Sequence, residues 1–202
     1  MSEPRSAHDF FDWTRQKLTE IEATLVTLDD SLNSLKDDAR KQADAAVARI
    51  RSARDSFKAQ VEALRANAPS GRTITEEGFA SAQLEWTKVE LAYQEYVAAA
   101  AQQAAVLHAA VSARAEAQRQ AWLASLQTIR ASAAEALDHA RSDTDAAIKR
   151  LAAETEKAKS KFGNISEAGD ESWKAIKGGL EETDAAFDRT WKKIYESVSN
   201  IR

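Results

Sequence analysis

The side chains able to do chemistry are few and widely spaced along this 202-residue chain. Its three histidines, His8, His108 and His139, stand far from one another. A carboxylate metal pair inside a helical bundle needs glutamates on facing helices and Glu-x-x-His spacing, which aims both ligands into one site. No Glu-x-x-His occurs; Glu135 and His139 share a face at i,i+4, but Asp138 and Asp143 beside them read as ordinary surface charges. The absence of cysteine leaves no thiolate ligand or nucleophile, and no Gly-x-Ser-x-Gly elbow is present. Gly178-Gly179 lies within a helical pattern and reads as a kink or a close helix approach, not as a phosphate loop. The expectation is a non-enzymatic chain with no catalytic, cofactor-binding or metal residues.

Two groups of residues could bind a partner. The run from Val97 to Ala113 carries no charge and is rich in alanine. It is too short and too weakly apolar to span a bilayer, which takes about 20 predominantly apolar residues. A helix without a solvated face needs cover on more than one side, so Val97, Ala100, Ala104, Leu107 and Val111 are expected to mediate self-association. The second group is basic: Arg51, Arg54 and Lys58 precede one predicted bend, and Lys157, Lys159 and Lys161 precede another. Cations near helix C-termini complement the helix dipole. They would also suit an anionic membrane or granule surface. Trp13 falls on the flank of its helix, where a protein partner could reach it, whereas Trp86, Tyr93, Tyr96, Trp122, Trp173 and Trp191 fall on the core stripe.

The elements that position these residues are helices. Apolar side chains recur every three to four residues from Phe10 to Ile201, and alanine makes up about a fifth of the chain, against six glycines and two prolines. Phe11, Thr14, Leu18, Ile21, Leu25, Leu28, Leu32, Leu35 and Ala39 follow the alternating 3-4 spacing of a coiled-coil seam. The pattern is interrupted at Asn67-Ala68-Pro69-Ser70-Gly71 and at 163–169. It predicts three long helices, about 6–66, 75–162 and 170–202, with capping boxes at Ser6/Asp9 and Thr73/Glu76. An unbroken second helix would be about 130 Å long. Asp44-Ala45-Ala46-Val47-Ala48-Arg49-Ile50 is echoed by Asp145-Ala146-Ala147-Ile148-Lys149-Arg150-Leu151, as if a helical hairpin had been duplicated into 1–100 and 102–202.

The fold class expected is therefore all-α: one elongated antiparallel coiled coil or helical bundle of three long helices, completed by homodimerisation. A net charge of −4, from 28 basic and 32 acidic residues, argues against nucleic acid as a partner. With no apolar leader at Met1–Ser6 and no cysteine, a cytoplasmic location is expected. The function expected is that of a scaffold or adaptor for a protein partner not identified by the sequence. In composition the chain also resembles granule-coating phasins and exchangeable lipid-binding bundles, which would imply an amphipathic surface coat. A BAR-like rod fits the length, but the overall acidity speaks against it.

Overall fold

A computed structural model describes residues 7–67 and 74–133, with isolated positions at 146, 149, 153 and 178. The third helix expected over 170–202, the second helix beyond 133, the hairpin duplication, Trp173, Trp191, His139 and the capping residues Ser6 and Thr73 lie outside the described residues. Those described form four α-helices and no strand: α1 (Ala7–Leu32), α2 (Asp37–Asn67), α3 (Glu76–Ala100) and α4 (Ala104–Ala133).

Each helix runs antiparallel to the one before it. Asp29 of α1 meets Arg51 of α2, Arg49 of α2 meets Glu95 of α3, and Glu90 of α3 meets Arg114 of α4. The result is an up-down-up-down bundle. Its packing is uneven: α2 lies close along α3 and α1 close along α4, while α1–α2 and α3–α4 touch much less. Two helix pairs thus face each other across the core.

The 3-4 spacing delivers the core as expected: Ile21, Leu25, Leu28, Val47, Ile50, Phe57, Val89, Tyr93, Tyr96 and Trp122 are all buried. Phe10, one residue before the Phe11 placed on the stripe, is the fully buried member of that turn. Near the N-terminus of α1, Phe10, Trp13, Phe57 and Phe79 pack edge-to-face or tilted at ring separations of 5.8–6.1 Å. Trp13 is therefore half-buried at the edge of the core, with three rings packed against it. Buried hydroxyls are satisfied locally, Thr24 donating to the Glu20 carbonyl at 2.8 Å and Thr14 to that of Phe11 at 2.9 Å.

Two expected helices are each cut in two. The helix expected over 6–66 turns at 33–36, where Ser34 and Leu35 donate to the carbonyls of Ser31 and Leu32. Leu35 drops into the core, Asp37 takes a left-handed φ of 48°, and Asp37 and Asp38 supply negative charge to the first turn of α2. The helix expected over 75–162 stops at Ala100 and restarts at Ala104. Gln103 donates to the Ala100 carbonyl at 2.9 Å, and its own carbonyl accepts from Val106 and Leu107. The physical reason is cover: the fold buries Val97, Ala99, Ala100, Val106, Leu107, Ala110 and Val111 within one chain. At the other end of α3 the cap is Thr75, whose hydroxyl accepts from the Gly78 amide at 3.1 Å. Gly78 permits a close approach of α2, since a Cβ there would meet Leu64 at 2.8 Å.

Candidate functional site

The most chemically distinctive place in the bundle is a group of charges at its centre. Lys17 and Glu20 project from α1, one turn apart, and Arg114 projects from α4; all three are buried. Arg114 Nε donates to Glu20 Oε1 at 2.6 Å and its Nη2 to Glu90 Oε1 of α3 at 2.5 Å. Lys17 Nζ donates to the other Glu20 oxygen at 3.2 Å. Trp86 lies beside both cations, with the Lys17 nitrogen at 5.2 Å and the Arg114 guanidinium carbon at 5.3 Å from its ring. The same guanidinium stands 5.1 Å from the Tyr93 ring. Two cations and two carboxylates cancel, so the group is neutral and enclosed by aromatic faces.

The electrostatics follow from this geometry. Burial alone raises the pKa of Glu20, but Lys17 and Arg114, by charge and by hydrogen bond, more than reverse it and hold the carboxyl below its usual 4.5. Burial pushes the Tyr93 phenol well above its usual range, an effect only partly offset by Arg114. Tyr96 is raised in the same direction, again chiefly by burial. Their hydroxyls donate to the carbonyls of Ala110 and Leu28, at 3.1 and 3.3 Å. A general acid or base works best with a pKa near the working pH and within reach of a substrate. Glu20 has neither property, and the arrangement suits cross-linking of α1, α3 and α4.

Sequence reasoning missed this cluster because it treated the charges as solvated. The signal was the spacing: Leu107, Val111, Arg114, Gln118 and Trp122 follow one another at 4, 3, 4 and 4, so Arg114 and Gln118 lie on the stripe itself. Both are buried.

The residues singled out from sequence scatter. Val97, Ala100, Leu107 and Val111 are buried inside the bundle, and Ala104 is exposed. Arg51 pairs with Asp29 at 2.5 Å, Arg54 pairs with Asp55 at 2.7 Å, and Lys58 is exposed. Lys157, Lys159 and Lys161 lie outside the described residues. His108 is exposed, and no cluster of potential metal ligands occurs among the described residues. No helix among them is long and apolar enough to cross a membrane. Of the large apolar side chains, Val26, Leu84 and Leu91 are exposed, the last two a heptad apart on α3. No protein-family model, curated protein or solved structure matches the chain significantly.

Proposed function

We propose that this chain is a non-enzymatic helical scaffold, acting through its shape and outer surface, in a reducing, cytoplasmic setting. One observation carries the reading: the charged groups best placed for chemistry, Lys17, Glu20, Glu90 and Arg114, are engaged with one another and tie three helices together. The cations suggested for an anionic surface point the same way, since Arg51 and Arg54 already face carboxylates. Vesicle sedimentation combined with a circular-dichroism melt tests the proposal. A scaffold should melt in one cooperative step and stay in the supernatant with anionic vesicles at low salt. Pelleting with the vesicles, accompanied by a changed tryptophan emission as the bundle opens, would favour a surface coat instead.

A further inference from the structure

One outer face of the bundle has the spacing of a helix seam. On α3, Ala80, Leu84, Leu91 and Ala98 follow one another at 4, 7 and 7 residues, so they share one side of the helix, and all four are exposed. Leu84 keeps 60% and Leu91 56% of its surface open. A floor of small side chains lies beside this ridge. Arg49 with Glu95 and Phe57 with Trp86 fix α2 and α3 in antiparallel register, which sets Ser52 level with Leu91 and Ala59 level with Leu84. Ser52 and Ala59 are exposed, and the half-exposed Arg49–Glu95 pair bridges the two helices on this side. The result is a shallow apolar trough that another helix can approach closely.

The chain's own sequence supplies a complement, outside the described residues. Its apolar spacing reads 170–202 as an amphipathic helix, and Gly178, a described residue within it, is helical. Taken in reverse, Trp191, Phe187, Leu180 and Trp173 are spaced 4, 7 and 7, the same steps as the α3 seam. In an antiparallel lay each tryptophan falls opposite an alanine, Ala80 or Ala98, while Phe187 and Leu180 fall opposite Leu84 and Leu91. Large then meets small at the ends and apolar meets apolar between them. The same register brings opposite charges level: Lys192 and Lys193 with Glu77, Asp184 with Lys88, and Lys174 and Lys177 with Glu95. A parallel lay would put the four-residue step at the wrong end.

The connection is long enough. Glu90 pairs with Arg114, which places Ala133 beyond the Glu76 end of α3, with Ala98 about 40 Å back along the bundle. Residues 134–169 cover about 54 Å even if wholly helical. We propose that 173–201 is a helix lying antiparallel on the outer side of α3 and α2, where it covers Leu84 and Leu91.

Spin labels at Asp55→Cys, on the outer side of α2, and Ala185→Cys test this in the full-length chain, which has no cysteine of its own. Helices packed about 8–10 Å apart put the two labels within about 25 Å. If 170–202 instead folded back along a straight continuation of α4, they would stand about 45 Å apart. The short distance should survive refolding with a tenfold excess of unlabelled chain, and it should be lost in L84E/L91E. A second label pair, Asp29→Cys and Arg51→Cys, whose native side chains touch within the bundle, should stay short in that variant. A long first distance in the chain without L84E/L91E would overturn the proposal, as would a short one that persists in L84E/L91E. So would a short distance that vanishes on dilution, which would seat the segment on a second copy, or a second pair that lengthens in L84E/L91E, which would make the leucines part of the bundle itself.

Discussion

Arg114 shows how a charge can be accommodated at the centre of a small bundle: its guanidinium has a carboxylate from each of two helices and two aromatic faces beside it. Removing one member leaves its partners charged and dry. Glu20→Gln or Arg114→Ala should each lower unfolding free energy by about 3–5 kcal/mol in urea titrations. Replacing the three buried members together, as Lys17→Met, Glu20→Leu and Arg114→Met, should restore stability to the wild-type value or above it, because their desolvation cost goes with the charges and the half-exposed Glu90 is left to water. The pH dependence has a definite sign. Glu20 is held below 4.5 in the folded chain, so the unfolded chain binds its proton more readily as the medium becomes acid. Its contribution is present above about pH 4.5 and is lost as the pH falls through the lower, folded value. Thermal melts should fall on that acid limb, and Glu20→Gln should flatten it. At the other extreme, Tyr93 is kept neutral by burial, so stability should decline above about pH 10 as the unfolded phenol ionises. Tyr93→Phe should blunt that decline.

At the scale of helices, spacing made the class, the apolar faces and the break near Pro69 legible, because periodicity and backbone chemistry act locally. The turn at 101–103 was hidden for the opposite reason: Ala and Gln suit a helix, and only the tertiary gain of burying both sides of Val97–Val111 selects the bend; at 33–36 Asn33, Ser34 and the Asp37-Asp38 pair did carry a turn and cap signal, which the unbroken leucine spacing masked. The central cluster was hidden because a lysine or arginine on an amphipathic helix is normally a solvated charge. Only the position of Arg114 on the apolar stripe marked it as different. Thr75 illustrates a local signal read two residues out of place, since the cap expected at Thr73 forms with the next threonine. Thr75→Ala should cost about 1 kcal/mol through loss of the bond to the Gly78 amide, read as a lower urea midpoint with an unchanged slope.

The described helices are held together by an apolar core, by ion pairs and tyrosine hydrogen bonds between neighbours, and by one group of charges at the centre. The central claim is that α1, α3 and α4 converge on Arg114. Nitrogen-15 spectra of the arginine side chains at neutral pH test it most directly. The Nε–H of Arg114, enclosed beside Trp86 and Tyr93 and bonded to Glu20, should give one resonance that exchanges slowly with water and is shifted by the ring currents. Glu20→Gln should weaken that protection. Arginine signals that all exchange at the rate of solvated side chains, with no ring-current shift, would contradict the account.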